Sequence, residues 1–258
     1  MDPKDSILIK ERILKSVSKA WTLFLDLIFP IECLGCGREG VWLCESCRKT
    51  LRMNRRQYCL DCRKGSRSGR FCRHCRPGHH LDGLWIVGDY EQKLLAELIK
   101  KFKYDFIRDL GEPLGGFLLR FLRGRLFDSL KEGGGTEILR TFQETLIIPV
   151  PLHRRRFNWR GFNQAEVLAR TVGGYFRLEM EVASLERTRY RRPQAKLGGR
   201  RRRENVRNCF AWRGEDLGGR NVILIDDVVT TGATLDEAAR VLKENGAGEV
   251  WGLVAAKG

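Results

Sequence analysis

Two adjacent acids, Asp226 and Asp227, follow the apolar run Val222-Ile223-Leu224-Ile225 and precede a turn of small residues, Thr230, Thr231, Gly232, Ala233 and Thr234. Such a turn suits anion capture. Free backbone N–H groups at a helix start, the helix dipole and three threonine hydroxyls converge where one phosphate can sit. The carboxylates add a second preference, because they accept hydrogen bonds from neutral vicinal hydroxyls such as those of a ribose, or hold a divalent metal. The turn contains no lysine, which argues against the GxxxxGK[ST] loop of nucleoside triphosphatases. A plain strand-to-helix turn with capping threonines and solvated acids is the bland alternative, and two acids directly after a buried strand favour a ligand site over it.

A second set of reactive side chains lies near the N-terminus. Eight of the nine cysteines form four C-x-x-C pairs, Cys33 and Cys36, Cys44 and Cys47, Cys59 and Cys62, Cys72 and Cys75. Each pair presents two thiolates at the geometry of tetrahedral zinc, and two pairs close one site, so the segment implies one or two structural Zn2+ ions. Sequential pairing is the simplest arrangement, with crossed pairing open. Unligated redox thiols are the weaker alternative, and a metal held by four thiolates has no open position for catalysis. Large apolar residues are few here, so metal rather than a core must hold the segment together. Arginines and lysines with Trp42, Tyr58 and Phe71 between them make it a candidate surface for single-stranded nucleic acid.

The elements that must position these groups read as α/β. Val222–Ile225 is an apolar, mostly β-branched strand suited to burial on both faces. The next helix has Leu235, Ala238, Ala239 and Leu242 on one face, with Thr234 and Glu237 as a capping pair and Asn245-Gly246 as its end, before a strand over 250–255. Further strands are expected at 84–90 and 145–150, and helices at 91–104, about 109–128 and from about 162. Apolar residues at helical spacing over 7–29 predict an amphipathic helix. The expected division is an N-terminal helix (1–30), a Cys-rich zinc module (31–80) and an α/β domain (81–258).

At 258 residues the chain can build one large core and a small accessory module. Its net charge of +16 is local: segments 31–80, 153–160 and 186–207 carry +8, +4 and +8, which leaves the remainder at −4 and concentrates basicity at candidate binding surfaces. There is no secretory signal pattern, and the apolar stretch 21–31 is about half a bilayer span, so no transmembrane segment is expected. A cytoplasmic location follows, in which paired cysteines are metal thiolates rather than disulfides.

The run Asp-Asp, two apolar residues, then Thr-Thr-Gly-Ala-Thr resembles the phosphoribosyl pyrophosphate (PRPP) signature of type I phosphoribosyltransferases. The stretch PVPLHRRRFNWRGFNQAEVLA at 149–169, the series Gln194, Leu197, Arg202, Asn205, Asn208 and Phe210, and the cysteine pairs resemble the ComF family of competence and GntX-like proteins. The resemblance implies a parallel sheet flanked by helices and transfer of a 5-phosphoribosyl group from PRPP, with Mg2+, to an acceptor that the sequence does not identify. It implies that Asp226 and Asp227 hold the ribose hydroxyls and act in catalysis, that residues 230–234 wrap the 5′-phosphate, and that Leu152, His153 and Arg154 meet the pyrophosphate. It places Gln194, Arg202 and Asn205 in a lid, and Lys103 at a recurrent position for anion contact that a solvated helix end explains equally well. His153 is expected to bind phosphate or face solvent rather than act as acid or base. The family's link to DNA uptake implies single-stranded DNA and DNA-uptake proteins as partners. A non-catalytic DNA-binding protein using the basic module and loops is the alternative, and a PRPP-sensing regulator is a third reading.

Overall fold

The computed structural model describes residues 30–66, 68–131, 144–190 and 206–258. The helix expected over 7–29 and the lid residues Gln194, Arg202 and Asn205 lie outside them. The chain divides into two compact units, one ending at Lys49 and the other spanning Thr50–Gly258. The expected module 31–80 is therefore shared between them, with two cysteine pairs in each.

In the first unit, Cys33 N donates to Arg38 O at 2.8 Å and Gly37 N to Cys33 O at 2.8 Å, closing a tight knuckle around the first pair. The second pair opens helix α1 (Glu45–Thr50).

The larger unit begins with a small antiparallel hairpin, β1 (Gln57–Tyr58) and β2 (Gly65–Ser66), that carries the third pair at its tip. Then follow β3 (Gly83–Asp89), α2 (Lys93–Tyr104), α3 (Gly111–Lys131) and β4 (Leu146–Pro149). The basic stretch folds as α4 (Arg154–Arg160), and α5 (Gln164–Phe176) comes next. The chain ends through β5 (Leu185–Arg187), β6 (Phe210–Trp212), β7 (Val222–Val229), α6 (Ala233–Glu244) and β8 (Val250–Lys257). Strands β3, β8, β7 and β4 form, in that order, one parallel sheet, and β5 pairs with β6 antiparallel. The α/β class read from the alternation of strands and helices is the one found.

Burial explains the order. β7 is central, with Val222, Ile223, Leu224 and Ile225 all at most 3% exposed, as a strand covered on both faces requires. The apolar faces of α2 (Leu95, Leu98, Ile99, Phe102), α5 (Ala165, Leu168, Val172) and α6 (Leu235, Ala238, Leu242) are buried in the core. Helices α3 and α5 approach closely through Gly111 and Gly115, where added Cβ atoms would stand 2.2 Å from Val167 Cγ1 and 2.6 Å from Thr171 Cβ. The free edge of β3 is covered by the hairpin: buried Gln57 accepts from Ile86 N at 2.9 Å and donates to Ile86 O at 3.2 Å. A sheet edge otherwise leaves such groups unpaired. Among the described residues no helix is long and apolar enough to cross a membrane.

Three local expectations change. The strand read as ending at Ile225 continues through both acids to Val229, because Asp226, Val228 and Val229 still pair with β8 at Val254, Ala256 and Lys257. The single helix expected after β4 is two, since Gly161 at φ 79° ends α4 and Asn163 starts α5 by accepting from Ala165 N at 3.2 Å. Finally, Thr234 is not the cap of α6. Gly232 in the left-handed conformation (φ 76°) occupies the cap position, and Glu237 instead accepts from Asn208 N at 2.7 Å.

Candidate functional site

The acids sit at the carboxyl end of the central strand. Asp227 is buried and Asp226 half-buried, and Asp227 N donates to Asp226 Oδ1 at 2.8 Å, so the pair is locally pre-set. Two carboxylates this close need a cation, and α2 supplies it: Lys103 Nζ lies 2.8 Å from Asp227 Oδ1. Burial alone would depress the Lys103 ammonium, but the attraction of Asp227, their hydrogen bond and nearby Asp226 hold its pKa above the ordinary value. Asp226 is driven the other way. Burial first, and then the Asp227 charge, push its carboxyl up to about 7, against the pull of Lys103. This geometry excludes a merely solvated helix end for Lys103, and it leaves the Asp227 side chain 7% exposed.

Further cations converge on the same edge. Val150 N donates to Ile225 O at 2.9 Å, bringing the loop after β4 beside the acids, and Asn163 Nδ2 fastens Val150 O at 3.2 Å. Arg160, only 8% exposed, donates from Nη1 to Gln164 Oε1 at 2.6 Å and stacks over the Tyr104 ring at 5.8 Å. Its Nε is buried with no hydrogen-bond partner among the described residues. Burial lowers the Arg160 pKa while both acids oppose that shift. Arg187 of β5 is lowered mainly by burial and also by Arg156, while Asp226 opposes. The acid pair thus lies in the field of three guanidinium or ammonium groups, a pattern that balances the acids and still favours anions. Charge alone in the sequence marked Arg160 as one of a basic cluster; its burial beside the acids depends on the fold.

Beyond β7 the turn runs from exposed Thr230 and half-buried Thr231 to buried Gly232 and Ala233, with Thr234 half-buried. Thr231 Oγ1 accepts from Ala233 N at 3.5 Å. Gly232 at the cap of α6 makes no side-chain hydrogen bond to the first turn, whose backbone N–H groups are the kind of donors that an anion can use. The other expected contact loop is partly helical. His153 caps α4, its Nδ1 accepting from Arg155 N at 3.2 Å, and its ring lies 5.4 Å from Tyr190. A ring nitrogen used in this way makes His153 a positioning group at the start of α4, with Leu152 half-buried before it and Arg154 exposed after it.

The eight paired cysteines form two groups, Cys33, Cys36, Cys44, Cys47 and Cys59, Cys62, Cys72, Cys75, so the pairing is sequential. Within each group all Sγ atoms lie within 4.8 Å of one another, and the Cys36–Cys44 and Cys62–Cys72 separations are 3.6 and 3.7 Å. Tetrahedral zinc with Zn–S near 2.3 Å needs Sγ atoms about 3.8 Å apart, so the residues present fit that ion. Without an ion among them the thiols of each group oppose one another's ionisation. In Cys33, backbone N–H donors from Cys44, Gly35 and Cys36 overcome burial and lower the pKa to about 6, while hydrogen bonding to Cys44 and burial push Cys47 up to about 12. In the other group, the Cys75 N–H leads in lowering Cys72 to about 7, and Cys72 leads in pushing Cys75 up to about 12. Four thiols cannot ionise together unless a cation sits among them.

Nothing in the spacing of residues connects the second cysteine group to the turn, yet the two meet. Leu60, between Cys59 and Cys62, packs where Gly232 has no side chain: a Cβ there would stand 2.5 Å from Leu60 Cδ2. His79, just after the fourth cysteine pair, joins Asp61 at 2.8 Å to Asp236 at 3.3 Å.

Comparison with known proteins agrees with both halves. Residues 24–76 match the double zinc ribbon domain and residues 160–256 the phosphoribosyl transferase domain. The chain is 30% identical to competence protein F of Haemophilus influenzae over 83% of its own length and 96% of the relative's. It is 29% identical to DNA utilization protein YhgH of Escherichia coli K12, with 81% and 95% covered, and 26% identical to competence protein ComFC of Bacillus subtilis, with 79% of each covered. A parallel sheet ending in an acid pair, two four-cysteine groups and this similarity over most of its length place the chain in the ComF family of competence proteins.

Proposed function

We propose that this protein binds PRPP with Mg2+ and transfers its 5-phosphoribosyl group to an acceptor, releasing pyrophosphate. The observation that carries the reading is the acid pair, balanced by Lys103 at 2.8 Å, beside a glycine-capped helix start in a segment similar to phosphoribosyl transferase domains. In this reading Asp226 and Asp227 accept the ribose hydroxyls. Residues Thr230, Thr231, Gly232, Ala233 and Thr234 take the 5′-phosphate at the start of α6, where N–H groups and the helix dipole favour an anion. Leu152, His153 and Arg154 meet the pyrophosphate at the start of α4, with Arg160 behind them. The acid pair is a donor set suited to Mg2+, which when bound supplies neutralisation of the pyrophosphate charge.

Calorimetric titration with PRPP and Mg2+ tests the reading. Wild-type protein binds, and the double variant Asp226→Asn with Asp227→Asn does not; equal affinity in the two rejects the assignment. A screen for pyrophosphate release against nucleobases and nucleic acids then identifies the acceptor, whereas binding without release would make the protein a PRPP sensor.

The names of the relatives, competence and DNA utilization proteins, support a role linked to DNA uptake, with single-stranded DNA and DNA-uptake proteins as partners. A specific observation favours DNA contact. Phe157 and Trp159 are exposed on the basic helix α4, and Phe106 meets Trp159 edge-on at 4.9 Å, a basic and aromatic surface on which bases can stack. Binding of single-stranded DNA across a salt series should fall steeply if several phosphates are neutralised, and a flat response removes this reading. Metal-bound thiolates suit a reducing compartment, so the cytoplasm is the proposed location.

A further inference from the structure

We propose that the second four-cysteine group is a brace for the turn 230–234, and that Leu60 and His79 are the positioning residues that transmit its geometry. The proposal rests on the reading of that turn as the phosphate site, and it concerns how the turn is held.

Three contacts link the knuckle to the start of α6. Leu60 is 7% exposed, and it lies between two thiols of the group. Its Cδ2 fills the space that a Gly232 side chain would take. Gly232 thus has two reasons to be glycine, a left-handed backbone and a leucine against its face. The second contact runs through a histidine whose ring is shielded. His79, with a side chain 3% exposed, has Nε2 2.8 Å from Asp61 Oδ2 and Nδ1 3.3 Å from Asp236 Oδ1, so a protonated ring donates to both. Asp236 is fixed further by His80 N at 2.9 Å and Leu81 N at 3.1 Å, and its own N–H bonds to Gly232 O at 2.9 Å. Third, the His79 ring stacks on Phe71, next to Cys72, with centroids 3.9 Å apart. One residue beside each half of the cysteine group therefore bears on the first turn of α6, one directly and one through His79.

The physical consequence is selective. Backbone N–H groups bind an anion well only when they are already aimed, because ordering a loop on binding costs affinity. At the start of α6 Gly232 gives no side-chain cap, and Ala233 N reaches Thr231 Oγ1 only at a long 3.5 Å. The knuckle supplies that order from outside, and it is rigid only as far as its four thiolates are tied to one ion.

Hydrogen–deuterium exchange on the full, zinc-loaded chain tests this with a readout independent of PRPP. In Leu60→Ala, and separately in His79→Ala, amides of residues 230–236 should exchange about tenfold faster, with zinc content intact and exchange over 114–122 of α3 unchanged. Unchanged exchange at the turn in both variants overturns the proposal. So does equal acceleration over α3, which marks general destabilisation, and so does zinc loss from both variants, which would make these side chains part of the metal site alone. PRPP titration of the same proteins should show about tenfold weaker binding in the variants, the change in affinity that a matching shift in turn opening produces. Should wild-type protein fail to bind PRPP, the ligand assignment falls while the exchange data still decide the brace.

Discussion

Lys103 Nζ and Asp227 Oδ1 stand 2.8 Å apart, and this pair ties the end of α2 to the carboxyl end of the central strand. Both side chains are largely shielded, so the ion left behind by removing one partner would be costly. Lys103→Met is expected to lower stability by about 3 kcal/mol in urea denaturation, and adding Asp227→Asn should recover part of the loss by removing the orphaned charge.

The neighbouring Asp226 predicts a pH effect of opposite sign. Burial and the Asp227 charge raise its carboxyl to about 7. An acid whose folded pKa exceeds the unfolded value, about 4, costs stability as pH rises above the lower value, and the cost is complete above the higher one. Asp226→Asn should therefore raise the melting temperature at pH 8 and leave it unchanged near pH 4, the gain amounting to about 2–4 °C for each kcal/mol recovered. Thermal melts of both proteins across this range check it, and a constant difference at all pH values would refute the shift.

Two glycines separate backbone strain from contact. Gly218 has φ 56° with open space around its would-be Cβ, whereas Gly232 has φ 76° and Leu60 Cδ2 at 2.5 Å. Substitution by alanine at either should cost about 1–2 kcal/mol for the left-handed backbone. Gly232→Ala should cost measurably more, and Leu60→Ala in the same chain should return the excess.

Metal content offers another kind of check. The two four-cysteine groups predict two zinc ions per chain by elemental analysis, falling to one in Cys36→Ser or in Cys59→Ser. The two losses should differ in consequence. Cys59 is 1% exposed and belongs to the same buried cluster as Leu60, Phe71, Leu81 and Leu224, so Cys59→Ser should lower the melting temperature of the unit Thr50–Gly258.

Much of this protein was readable as a string of residues wherever the physics is local. Val222–Ile225 announced a doubly covered strand because apolar, mostly β-branched runs have few other uses, and the buried face of α6 followed from residues three and four apart. The cysteine pairs declared a metal because ligand spacing within a knuckle is itself local, and the order of pairing followed the chain. Where the reading slipped, the deciding interaction came from elsewhere in the fold. β7 ran past its acids because β8 continued to pair with it, and the cap of α6 fell to Gly232, whose left-handed backbone lies against Leu60, rather than to Thr234. Lys103 resembled any lysine at a helix end, and His79 any surplus histidine beside a zinc knuckle. Their partners, Asp227 for one and Asp61 with Asp236 for the other, come within reach only when the chain closes on itself. Charge pairing and burial depend on distance in space, and the linear order of residues does not encode that distance.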